Sequence, residues 1–236
     1  MNATSSIKGN LARVREQIAA AAQLAGRSPE EIELIGVSKT QPAEAVREAY
    51  AAGLRHFGEN RVQEWEGKLP ALTDLGGTWH LIGNLQSNKA ARAAKAFHSI
   101  DSVDDWSLAQ RLERAQAEKG TKDTLRVLIE VHLGGEESKS GVGETDLPEL
   151  AERVAGCAHL QLAGLMCIPP FRENPDDVRP FFAALREHKE ALESRLGMRL
   201  PVLSMGMSHD FAAAIQEGAT EVRVGTGIFG TRAKPA

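Results

Sequence analysis

The sequence predicts an α/β fold, a (β/α)8 TIM barrel, and three observations carry that prediction. Short apolar runs alternate with helical patterns eight times along the chain. The 236 residues approach the roughly 250 usual for the class. Glycine-bearing turns follow the last two apolar runs, at the corner where such barrels often hold a phosphate. A doubly wound open sheet is the structural alternative. No linker, low-complexity tract or second-domain signal interrupts the pattern, so residues 1–236 are expected to form one domain.

Ile7, Leu11, Val14, Ile18 and Ala22 recur at steps of three and four, marking an amphipathic helix that Gly26 should end. This segment, residues 1–27, precedes every strand and is expected to pack on the barrel. The first strand is read at Leu34 to Ser38, and Pro42 and Gly53 bound its helix. Leu54 to Phe57 reads as the second strand, with Asn60 as a helix cap ahead of Val62, Trp65 and Leu69. Thr78 to Ile82 and Phe97 to Ile100 follow as strands, each with a helix behind it. The helix after Ile100 is placed from Ser102, with Asp105 in a capping-box-like position.

Leu125 to Val131, Leu160 to Ile168, Val202 to Met205 and Glu221 to Val224 complete the eight strands. A polar glycine-bearing loop, GGEESKSGVGETD, follows the fifth strand. Ser208 reads as the cap of a short helix carrying Phe211 and Ile215. Only about ten residues follow Gly225, too few for a full final helix. The extra N-terminal helix should therefore cover the barrel bottom or close its outer ring.

A net charge of -4 with 25% charged residues offers no basic excess for a nucleic acid backbone or an anionic membrane. The start MNATSSIKGN lacks an apolar signal core and no 18 apolar residues run together, so a cytoplasmic protein is expected. Cys157 and Cys167 are too few for a disulfide framework or a cysteine metal site, and both are expected to be buried thiols.

Chemistry enters at Lys39, a lysine placed at the C-terminal edge of the apolar run Leu34, Ile35 and Val37. An amine drawn partly out of water loses its proton more readily and can attack a carbonyl to form a Schiff base. On its own it would read as a loop charge. The turns SMGMS, Ser204 to Ser208, and VGTG, Val224 to Gly227, add backbone N–H groups and the Ser208 and Thr226 hydroxyls at the expected phosphate corner. Arg223 lies between Val222 and Val224 and faces oppositely to them, either into the barrel or toward a structural ion pair such as Glu221. A permanently charged guanidinium beside a heterocyclic nitrogen disfavours its protonation. HFGEN and HLIGNLQSNK end the second and third strands. Their histidines, His56 and His80, have no acid partner evident from the sequence, and no His/Cys/Asp/Glu spacing suggests a metal site.

Together GVSKTQP, HFGENRVQE, WHLIGNLQSNK, SKSGV, GLMCIPP, LSMGMSHD and VRVGTGIFGTR, from about residue 36 to 232, resemble the pyridoxal-phosphate homeostasis proteins, the YggS/PROSC family. The resemblance implies a fold-type III barrel, like the N-terminal domain of alanine racemase but without a second domain. It implies pyridoxal 5'-phosphate (PLP) held by Lys39 as a Schiff base, with Arg223 at the pyridine nitrogen. It places Ser208, Gly225 and Thr226 at the phosphate, Asn60 in a motif flanking the cofactor, and Met166 at the end of a neighbouring strand. Asn84, His209 and the short tail after Arg232 depart from the family pattern without removing a contact. The resemblance assigns no role to His56, His80 or the Ser138–Gly141 loop.

The implied function is vitamin B6 homeostasis and amino-acid and keto-acid balance, without established turnover and with PLP-dependent apo-enzymes as partners; the missing second domain and catalytic tyrosine remove the usual reason for a shared dimer site, so a monomer is expected. The alternative is a PLP-dependent racemase-like enzyme. Racemisation needs a base on each face of the substrate carbon, a lysine and a tyrosine in the related racemases. Tyr50, the single tyrosine, lies in the first barrel helix, away from the strand ends expected to bind. A cofactor-independent Schiff-base aldolase is a third reading, but it leaves Arg223 without a role.

Overall fold

In the computed structural model, which describes residues 6–134 and 140–230, all eight apolar runs pair with parallel neighbours. The barrel strands are β1 (Glu33–Val37), β2 (His56–Glu59), β3 (Thr78–Leu81), β4 (Ser99–Val103), β5 (Leu125–His132), β7 (Leu160–Met166), β8 (Val202–Met207) and β9 (Glu221–Val224). Pairing of β4 with β5 and of β1 with β9 closes the sheet. The (β/α)8 barrel is therefore the fold, and the open sheet is excluded. A two-residue strand absent from the sequence reading, β6 (Val142–Gly143), adds to the top of β5.

The helices are α1 (Ile7–Leu24), α2 (Ala43–Ala51), α3 (Val62–Lys68), α4 (Ala90–Ala96), α5 (Trp106–Ala117), α6 (Leu147–Ala155), α7 (Arg179–Leu196), α8 (Phe211–Gln216) and the one-turn α9 (Thr226–Phe229). The apolar stripe of α1 buries Leu11, Val14 and Ile18 between α8, α9 and α2. Asn10 Nδ2 donates to the Ile228 carbonyl at 2.9 Å, tying α1 to α9. Of the two expected positions, α1 thus takes the one in the outer ring, filling the place that the short α9 leaves open.

Several boundaries moved for local reasons. Leu54 lies just past α2 and its N–H bonds back to the Ala49 carbonyl, so β2 starts at His56. Phe97 closes α4 through Ala93, so β4 starts at Ser99. Ser102 and Val103 belong to that strand, and Asp105 is itself the cap of α5, accepting from Leu108 N–H at 2.8 Å. Arg61, not Asn60, precedes α3, and Asp210, not Ser208, precedes α8. Both residues read as caps are thereby available to the barrel mouth. Of the cysteines, Cys167 is buried, whereas Cys157 stands half-exposed after α6.

The barrel interior is layered. Along β5, alternation turns Arg126, Leu128 and Glu130 inward at successive heights. Leu128, Ala163 and Met166 form a dry middle layer. Charged groups lie below it at the strands' N-terminal ends and above it at their C-terminal ends. Outside the sheet, Phe57, Trp65, Trp79 and Phe97 stack beneath α3 and α4, with the Trp65 and Trp79 rings 4.0 Å apart.

Candidate functional site

A cavity of about 440 Å³ opens at the C-terminal ends of the strands, within the usual range for small-molecule sites. Lys39, Asn60, Ser208, Arg223, Gly225 and Thr226 all line it. Six of the seven residues singled out in the sequence therefore converge. The seventh, Met166, is fully buried in the middle layer and does not line the cavity; its register neighbours are Glu130 and Ser204.

The Lys39 amine has no hydrogen bond or ion pair to any described residue. Its backbone, by contrast, is clamped on both sides. Ser38 Oγ donates to Glu59 Oε1 at 2.7 Å, and Lys68 Nζ donates to the Ser38 carbonyl at 2.9 Å. The same ammonium bonds Glu59 at 2.9 Å and Glu64 at 2.8 Å, and Glu64 in turn accepts the Thr40 N–H. Thr40 sits in the left-handed region at φ 64, a strained setting for a β-branched residue that the clamp maintains. Burial raises the Glu59 carboxyl above its ordinary range, while Ser38 and Lys68 pull it back. The consequence is a free amine on a held turn.

Arg223 is 3% exposed and donates to Ser204 Oγ and to the Cys167 carbonyl, each at 2.8 Å. It does not pair with Glu221, which takes Arg126 instead. Three of its five N–H donors remain uncommitted among the described residues. Arg223 is level with Ile35 in the sheet, deeper than Lys39, so the guanidinium is at the floor and the lysine at the rim.

Glu130 shares that wall and is also buried. Burial first, then the nearby Asp104, pushes its carboxyl up to about 7, against the pull of Arg223. A carboxyl raised on folding binds its proton more tightly in the native state, so its contribution is lost as pH rises from the ordinary carboxylate range through about 7. We expect Glu130→Gln to be more stable than the parent at about pH 8 by up to about 3 kcal/mol, with the gap closing toward pH 5. Urea denaturation of the ligand-free proteins at both pH values checks this.

At the third wall, Gly206 has φ +93, and a Cβ there would lie 2.6 Å from that of Ala214. That close approach brings β8 onto α8 and sets Ser208 facing the β9 turn. Ser208 Oγ accepts from Gly225 N–H at 3.3 Å and Gly227 N–H at 3.4 Å. Two backbone donors and two hydroxyls, those of Ser208 and Thr226, thus meet at one edge of the cavity, a donor set suited to an oxyanion.

Comparison with known proteins decides the family. The alanine racemase N-terminal domain model matches residues 9–233. A pyridoxal phosphate homeostasis protein of Pseudomonas aeruginosa is 48% identical over 97% of this chain and 96% of its own. The chain belongs to the pyridoxal phosphate homeostasis protein family. The structure of PipY from Synechococcus elongatus with PLP bound, at 44% identity, covers 90% of this chain and 100% of that one with a TM-score of 0.81. Alanine racemase of Corynebacterium glutamicum, at 19% identity and a TM-score of 0.67, shares the fold, with 61% of its length covered.

Within this homeostasis-family barrel, Ile82, Gly83, Ile168 and Met207 were given no site role in the sequence reading and supply apolar and backbone surface, while Asn84 and His209, named there as departures from the family pattern, also line the cavity. Ser140 reaches it from the Ser138–Gly141 loop; Ser138 and Lys139 lie outside the described residues. His56 and His80 lie at the other end of the barrel, where the fold supplies the acid partners that the sequence did not reveal, Glu33 and Asp101. Tyr50 is also at that end: Arg55, just ahead of β2, covers its ring at 4.1 Å. Among the described residues no helix is long and apolar enough to cross a membrane.

Proposed function

We propose that this protein binds PLP reversibly, with the Lys39 amine taking the aldehyde, and serves intracellular vitamin B6 homeostasis and amino-acid and keto-acid balance without turnover. The observation that carries the reading is the convergence, in one cavity, of a lysine without a partner among the described residues, a buried guanidinium, and an oxyanion-binding edge. These are the three chemistries a pyridine aldehyde phosphate requires. Arg223 would face the ring nitrogen. Ser208, Gly225 and Thr226 would hold the phosphate, and Asn60 would flank the ring, with Met166 supporting the floor from below.

Bound PLP supplies an electrophilic carbonyl and a conjugated ring that can draw electrons from an attached amine. Arg223 can only donate, so it would favour an unprotonated ring nitrogen and a weak electron sink. No tyrosine stands at the mouth to serve as a second base, since Tyr50 is held at the far end by Arg55. Both features favour holding over turnover. In this reading the chain works as a cytoplasmic monomer, one barrel domain with α1 in its outer ring, and passes PLP to apo-enzymes.

Titration with PLP should give one equivalent of a visible band that borohydride removes; a protein that stays colourless would refute the proposal. Loss of optical purity in single-enantiomer amino acids, abolished in Lys39→Ala, would replace the non-catalytic reading with a racemase-like one. Ser208→Ala or Thr226→Ala should each weaken PLP about 10- to 100-fold, the worth of one hydrogen bond to a charged group, with the fold intact. Equilibrium dialysis against PLP measures this, and unaltered affinity in both would move the phosphate elsewhere.

A further inference from the structure

The opposite, N-terminal end of the barrel holds a second cavity of about 520 Å³, and its polar wall has no part in the reading above. Glu33, His56, His80, Arg126 and Glu221 line it, each from a different strand, and Asp101 backs His80 from β4. Three carboxylates thus face one guanidinium. With both imidazoles neutral the cluster carries two negative charges in excess, which protons or a divalent cation can neutralise.

The geometry points to the cation: we propose that Glu33, His56 and His80 bind a zinc-type divalent transition-metal ion. His56 Nδ1 lies 3.0 Å from Glu33 Oε1 and 3.2 Å from His80 Nε2, with the two rings tilted at 51°. Two imidazole nitrogens bound to one tetrahedral ion at about 2.0–2.1 Å stand about 3.3 Å apart, so the observed spacing needs little change. The other nitrogen of His80, Nδ1, is 3.1 Å from Asp101 Oδ2, the carboxylate contact that orients a metal-binding histidine.

A separate observation points the same way. The Glu221 side chain is 4% exposed, and while its Oε1 takes Arg126, its Oε2 has no hydrogen-bond partner. Its carboxylate lies within 4.8 Å of a ring nitrogen of His80, so a buried acceptor without a donor stands beside one of the proposed ligands. Imidazoles with carboxylates and no thiolate suit zinc or cobalt, whereas magnesium and calcium prefer oxygen alone. The cavity gives the ion a path from solvent. The dry layer of Leu128, Ala163 and Met166 separates it from Lys39, so the role is to tie β1, β2 and β3 together, not to react.

The test is a titration of chelator-treated protein with cobalt(II), followed in the visible range and reversed with zinc. One equivalent should produce the absorption bands of a four- or five-coordinate ion, and zinc should raise the melting temperature. Glu33→Gln and His56→Gln, chosen because both side chains are part-exposed and tolerant of change, should each weaken the first equivalent about 100-fold. His188→Gln, on the surface beside Glu144, should leave it unchanged. Absence of cobalt bands in the parent, or bands undiminished in both Glu33→Gln and His56→Gln, would overturn the proposal and leave the cluster a proton-balanced network.

Discussion

Lys39→Ala should remove the visible band altogether and weaken PLP at least about 100-fold, because the covalent link disappears with an amine that has no partner among the described residues. Its stability should stay within about 0.5 kcal/mol of the parent, as expected for a side chain without partners. The Ser38 and Thr40 bonds to Glu59, Lys68 and Glu64 belong to neighbouring residues and survive the change. Absorbance and urea denaturation together check both halves. A residual band that borohydride still removes would assign the aldehyde to a different lysine.

The second large effect lies outside the cavity. Lys68→Met leaves the Glu59 carboxylate, whose side chain is 0% exposed, without its cation. Removing one partner of a buried pair costs about 3–5 kcal/mol, so this variant should lose that much stability near neutral pH. Adding Glu59→Gln should recover most of it, since an amide needs no counter-charge. PLP affinity should fall with the single change, because the Ser38 carbonyl and Thr40 turn lose their anchor. A loss below about 1 kcal/mol would mean that the clamp does not hold the Lys39 turn as described.

The barrel was legible because parallel strands buried on both faces read as apolar runs, and each was followed by a helical stripe. Boundaries were less so. A leucine such as Leu54 looks the same whether it follows α2 or begins β2, and only the bond to Ala49 tells which. At the site, Lys39 and Arg223 stood out as charges beside or within apolar strands. Glu130 carries the same signal in VLIEV and was overlooked. Met166 was placed by resemblance, and the pleat puts it beneath the cavity instead of on its wall.

The Lys68 clamp joins α3 to β2 and the β1 turn through side chains alone, which no local pattern encodes. The lower cluster did leave a trace. Glu33, His56, His80 and Asp101 follow one another at intervals of 23, 24 and 21 residues, one βα unit each, a period hidden from any search for adjacent metal ligands. Asn60 and Ser208 show the opposite effect: both resemble helix caps, and the fold uses neither as one.

The central claim is that Lys39 holds the cofactor aldehyde. Borohydride reduction of the PLP-loaded protein, followed by peptide mass mapping, tests it most directly. A single phosphopyridoxyl group on the peptide bearing Lys39 is the expected result. The same mass on Lys68, Lys89 or another lysine, with Lys39 unmodified, would contradict it.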